Sequence, residues 1–195
     1  LEIELNGLYQ ENGLYRAMDL QISRVSRIFS IQVHYYSGKC MADWEDREDG
    51  YHNAIILLNE KDDEETTREK FFHELCHPLK HVGIQHKLPT LIRELQENQA
   101  SQFQLYASMP IYMIQEYIDQ SPTLQILEKN LAEAFCLPIS LVKRRLFHIS
   151  NRIFWGRIDR SYKHPQPKVV ITAERIKLVQ EDFARKFREE NRGGN

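Results

Sequence analysis

His73 and His77 stand four residues apart with a glutamate directly after the first, giving His73-Glu74-Leu75-Cys76-His77, the H-E-x-x-H pattern. Four residues make little more than one helical turn, so on an α-helix both imidazoles share a face and can hold one ion. Zinc suits such a pair: it accepts imidazole nitrogen and keeps a position for water in catalytic sites. Bound zinc lowers the pKa of its water toward about 7 and polarises a carbonyl. Glu74 adjoins the first ligand and is expected to take the water's proton and pass it on, which is the chemistry of peptide-bond hydrolysis. A catalytic zinc takes three protein ligands. His81, one turn further along the expected helix, His86 beyond it, and Glu94 and Glu97 on the next helix all qualify by type. Spacing alone does not choose among them. The longer pattern with glycine three and histidine six residues after the second ligand is excluded, since Lys80 and Gly83 occupy those places.

The motif needs an anchored helix. Thr66-Thr67-Arg68-Glu69 reads as a capping box, and Phe72, Leu75, Cys76 and Leu79 recur at i, i+3, i+4 and i+7. Cys76 is displaced about 100° from His77 around the axis and is expected in the core. Pro78 lacks an N–H and disfavours helical geometry in the residue before it, which predicts a kink or end at His77. Upstream, the pattern predicts a helix over Leu14–Ser30, a strand over Ile31–Tyr36, an acidic solvated loop over Asp43–Gly50 and a strand over Tyr51–Asn59. The unbroken apolar centre of that last strand predicts burial on both faces. Downstream, a break is expected over Gly83–Pro89, then helices over Thr90–Met109 and Ile111–Gln120. A further helix opens at Ser121-Pro122 and runs to Phe135. Cys136-Leu137-Pro138 is a turn, with Cys136 expected to pack there, and Ile139–Phe147 the next helix. A short strand over Arg152–Ile158, a loop over Ser161–Lys168 and a helix over Thr172–Asn191 complete the reading. The order predicts an α+β fold, a small N-terminal sheet packed on a mainly helical core. The expected divisions are residues 1–120, 121–150 and 151–195.

The 195 residues, 42% hydrophobic and 28% charged, suffice for one ordinary domain and argue against disorder. The longest apolar runs, such as Ala54–Leu58, fall far short of the roughly 18 residues needed to span a membrane. No secretory signal opens the chain, and its three cysteines fit a reducing cytoplasm better than a disulfide scaffold. The net charge of −2 conceals segregation: residues 42–75 carry 12 acids against 4 bases, and residues 141–168 carry 8 bases against 1 acid. Lys143-Arg144-Arg145, with Phe154, Trp155 and Tyr162 among later bases, reads as a surface for nucleic acid or an acidic partner, or as a solvated face matched to the acidic stretch. Tyr106, Tyr112, His148 and His164 are candidates, by type only, for stabilising a developing oxyanion.

Several segments together resemble the ImmA/IrrE family of metallopeptidases. Arg68-Glu69-Lys70-Phe71-Phe72 leading into His73–His77 is similar to that family's metal helix, and His81 sits where many members carry a further histidine. Glu97-Asn98-Gln99-Ala100-Ser101-Gln102-Phe103, followed by Met109-Pro110, resembles its E-x-x-A-x-x-F segment. Leu131-Ala132-Glu133-Ala134-Phe135-Cys136-Leu137-Pro138, with Val142 and Arg145-Leu146, resembles the helix-turn-helix segment that follows. The resemblance covers roughly residues 15 to 150. It implies a zincin-like metallopeptidase core over 1–120, a helix-turn-helix-like segment over 121–150, and no counterpart for 151–195. It also selects Glu97 over Glu94 as the third zinc ligand beside His73 and His77. The implied activity is regulatory cleavage of a DNA-binding, helix-turn-helix repressor in a prophage, mobile element or stress response. Two alternatives differ in class: a peptidase-like binding module that contacts a regulatory protein through the basic 141–168 segment, and direct DNA contact through Leu124–Phe147.

Overall fold

The apolar run Ala54–Leu58 becomes the central strand of a three-stranded sheet in the computed structural model, which describes residues 1–46, 52–81 and 89–163. The fold is α+β. Helix α1 (Glu2–Glu11) leads through a short 3-10 turn (Ala17–Asp19) to α2 (Ile22–Ile28), β1 (Ile31–Tyr36), β2 (Met41–Asp46) and β3 (His52–Asn59). Helices α3 (Glu64–Glu74), α4 (Cys76–Lys80), α5 (Thr90–Ser108), α6 (Ile111–Ile118), α7 (Leu124–Phe135) and α8 (Ile139–Lys163) follow. By its contacts the chain divides into two compact units, residues 1–149 and 150–195, the described part of the second being the C-terminal stretch of α8. No helix among the described residues is long and apolar enough to cross a membrane.

Strand β3 lies between β1, parallel to it, and β2, antiparallel, with Ile31 beside Ala54 and Trp44 also beside Ala54. Ala54, Ile56 and Leu58 are buried, whereas Ile55 and Leu57 are only partly covered. The unbroken apolar run is therefore covered fully on one face only. The acidic stretch Asp43–Gly50 also departs from expectation, because its first residues belong to β2 rather than to a loop. Ala42 and Trp44 pair with Ile56 and Ala54 on the buried face, and the alternating Asp43 and Glu45 are exposed. The expected helix over Leu14–Ser30 is two shorter pieces, the 3-10 turn and α2. Arg152–Ile158 is helical, as are Ser161–Lys163; α8 runs straight through both. The expected helix Thr172–Asn191, the candidates His86 and His164, and the core of the Gly83–Pro89 break lie outside the described residues.

Polar anchors fix the layers of the first unit. The Tyr9 hydroxyl donates to the Ala107 carbonyl at 3.2 Å, and Tyr112 donates to that of Leu14 at 2.7 Å. Arg68, buried on α3, donates to the carbonyls of Phe135 and Leu20, both at 2.9 Å. Its guanidinium thus occupies carbonyls that helix α7 and the turn before α2 leave unpaired. Cys136 takes left-handed geometry at the end of α7, and the Leu137 N–H returns to the Ala132 carbonyl at 3.0 Å. That reversal aims α8 back over the core, where Leu141 and Val142 are buried.

Candidate metal centre

Helix α3 starts on Asp63, whose carboxylate accepts from the Thr66 N–H at 2.7 Å. The cap therefore lies three residues before the Thr66 box. Phe71 and Phe72 are fully buried, which fixes the rotation of the helix, turns His73 away from the core and leaves Glu74 on the flank between core and surface. The interruption attributable to Pro78 falls at Leu75 rather than at His77. Pro78 offers no N–H to the Glu74 carbonyl one turn back, yet Leu75 keeps right-handed helical angles (φ −58°, ψ −29°). His77 consequently sits inside α4, one turn past His73.

Helix α5 runs antiparallel to α3: the Gln104 side chain donates to the Glu69 carbonyl at 2.7 Å, and seven residues earlier Glu97 meets His73. His73 Nε2 and Glu97 Oε2 are 3.1 Å apart, and His77 Nε2 lies 3.8 Å from Glu97 Oε1 and 4.0 Å from Glu74 Oε2. One ligand atom from each of His73, His77 and Glu97 falls within 4.8 Å of the others. The neighbouring Glu94 is exposed and stands outside this cluster. A tetrahedral zinc with ligands at roughly 2.0–2.1 Å has edges of about 3.3 Å. The observed separations bracket that edge, and two imidazoles with one carboxylate form a donor set that catalytic zinc accepts. The residues fit the ion.

His81 does not extend the metal-facing stripe. The chain leaves α4 there in an extended conformation (φ −111°, ψ 143°), with its N–H bonded to the His77 carbonyl at 3.0 Å. Its ring folds back, setting Nδ1 at 2.9 Å from Nδ1 of His77. The Trp44 indole stacks on His77, nearly parallel (11°), with centroids 6.4 Å apart. Trp44 had no signal in the sequence except its alternation with the acids of β2. Burial, with repulsion from His73 and His81, pushes the His77 imidazole down to about 4 against the pull of Glu97. Burial and then Glu97 raise the Glu74 carboxyl above its ordinary range, although His73, the Ala42 N–H and Lys39 oppose them. Cys76 is buried and its thiol is pushed up to about 12 by that burial, consistent with a core residue.

The remaining candidates fall elsewhere. Tyr112 is bonded to Leu14, and the Tyr106 hydroxyl lies 3.3 Å from His148 Nε2 while the Arg145 guanidinium covers the Tyr106 ring at 5.1 Å. Arg145 is not the surface charge that the basic triplet predicts. It is fully buried, donates to the Met109 carbonyl at 3.0 Å and pairs with the buried Glu2 carboxylate. Helical spacing explains this, because Arg145 follows the core residues Leu141 and Val142 by four and three positions. Lys143 and Arg144 are exposed, and Lys143 lies 3.7 Å from Glu128.

Residues 27–147 match the peptidase family described as the IrrE N-terminal-like domain. The chain is also 35% identical over 115 residues to the phage-like element PBSX protein XkdA of Bacillus subtilis (strain 168). That alignment takes in 58% of this chain and 55% of XkdA, so the chain matches about half of its relative's length.

Proposed function

The chain belongs to the IrrE N-terminal-like, or ImmA/IrrE, family of peptidases, and from that premise we propose that it is a zinc-dependent endopeptidase. The observation that carries the reading is the convergence of His73 on α3, His77 on α4 and Glu97 on the antiparallel α5, with the Glu74 carboxylate beside them. His73 and His77 bind through imidazole nitrogen and Glu97 through a carboxylate oxygen. Zinc held there supplies polarisation of the scissile carbonyl and a lowered pKa for water. Glu74 accepts a proton at its carboxylate from the attacking water and returns it to the leaving amine. The Ala42 N–H holds that carboxylate, and Trp44 and His81 hold the His77 ring.

The substrate in this reading is a cytoplasmic regulatory protein, specifically a helix-turn-helix repressor whose cleavage switches on a prophage, mobile element or stress response. The name of the phage-element relative supports the phage or mobile-element setting, and the family resemblance supports the repressor as substrate. The test pairs metal content with cleavage of a repressor encoded next to this chain. Purified protein is expected to carry about one zinc, and Glu74→Gln to keep the metal while losing cleavage. Undiminished cleavage by E74Q would sink the mechanism.

A further inference from the structure

We infer that His81 is a positioning residue for the metal centre: its Nδ1 accepts the Nδ1 proton of His77 and so presents the His77 Nε2 lone pair to the ion. The inference rests on the zinc-binding reading and goes beyond it, since His81 lies outside the proposed ligand set.

The two Nδ1 atoms are 2.9 Å apart in a buried contact, so one ring donates and the other accepts. If His81 donated, the His77 proton would sit on Nε2, pointing toward the Glu74 and Glu97 carboxylates, and His77 would have no lone pair for a metal. Donation in the other direction leaves Nε2 of His77 bare and toward the cluster. Metal binding therefore requires His81 to be the acceptor and to carry its own proton on Nε2. The contact is built in twice, because His81 also donates its backbone N–H to the His77 carbonyl. The break from α4 into extended geometry turns the His81 ring back over the preceding turn, and His81 is only 6% exposed. Trp44 holds the face of His77 while His81 holds its edge. In many metal sites a carboxylate or a carbonyl orients the ligating histidine. Here a neutral imidazole does so, and the site gains direction without a further negative charge.

The variants His81→Leu, His81→Asn and His81→Gln separate this role from packing. Asparagine sets an amide oxygen close to where Nδ1 stood; leucine fills the space without an acceptor, and glutamine carries its amide one carbon too far. Zinc affinity is read by chelator competition, and metal-free thermal melts report on folding. His81→Asn is expected within about threefold of the parent chain, and His81→Leu and His81→Gln about 10–100-fold weaker. A long-range proton–nitrogen correlation spectrum of the zinc-loaded parent chain needs no variant. It is expected to show protons on Nδ1 of His77 and Nε2 of His81. Parent-like affinity in His81→Leu, asparagine as weak as leucine, or a proton on Nδ1 of His81 would each overturn the role and leave the zinc site standing. A parent chain that takes up no zinc overturns both together.

Discussion

Glu74 and Glu97 face the same histidines from different environments. The Glu74 side chain is 14% exposed and on the motif helix; that of Glu97 is 47% exposed and reaches in from α5. In the proposed roles Glu97 is a ligand and Glu74 a proton carrier, and the two must respond differently to neutralisation. Glu97→Ala is expected to lower zinc affinity by more than the roughly 100-fold typical at most for outer partners. Glu74→Gln should leave that affinity within a few-fold, and chelator competition on both variants checks the split. Arg145 and Arg144 make a second contrast. Arg145→Ala removes the buried guanidinium that pairs with the Glu2 carboxylate and is expected to cost about 3–5 kcal/mol in denaturant unfolding. Arg144→Ala should stay within about 0.5 kcal/mol. The two arginines look alike in a basic triplet, and only the 3.6-residue period places one beside Leu141 and Val142 and the other in solvent.

Helices α3 and α5 were the most legible elements, because the i, i+4 ligand spacing and the apolar positions around Phe72 and Leu75 agree on a single rotation. The proposed third ligand was less so. Glu94 and Glu97 are one turn apart on α5, and the choice depends on how α5 slides along α3, which Gln104 and Glu69 fix across 35 residues. Strand β2 was hidden by composition: Asp43 and Glu45 look like loop residues until Ala42 and Trp44 are seen packing inward between them. A short strand is expected over Arg152–Ile158, but α8 carries that stretch onward as helix. Strand β3 bears the sheet's core, so Ile56→Ala is expected to cost about 2–5 kcal/mol. The start of α3 offers a pH test. The Thr66 N–H holds the Asp63 carboxyl below its usual range. Its contribution is therefore present above the unfolded pKa and is lost as pH falls through the lower folded value. Asp63→Asn keeps an N-cap without a titrating group and should flatten the acid limb of melting temperature against pH. Asp63→Ala should lower the melting temperature near neutrality as well.

Across the first unit, the proposed centre ties α3 and α4 to α5 at one point. Zinc at 100 times its dissociation constant should add about 2.7 kcal/mol to stability, and chelation should remove it; scanning calorimetry of both forms reads the difference. The acidic and basic stretches lie in different halves of the sequence, and with Arg145 internal the exposed pair Lys143 and Arg144 is what the triplet offers a partner. The pairing of Glu2 with Arg145 has a temporal side. A ribosome adding roughly 5–20 residues per second needs about 7–30 s to travel from one partner to the other. Throughout that interval α1 lacks this partner and has the Tyr9 contact to Ala107 as its earlier anchor, and the proposed metal ligands are all synthesised before Arg145. The order of synthesis thus makes the proposed metal cluster available for assembly before the contact that closes the core.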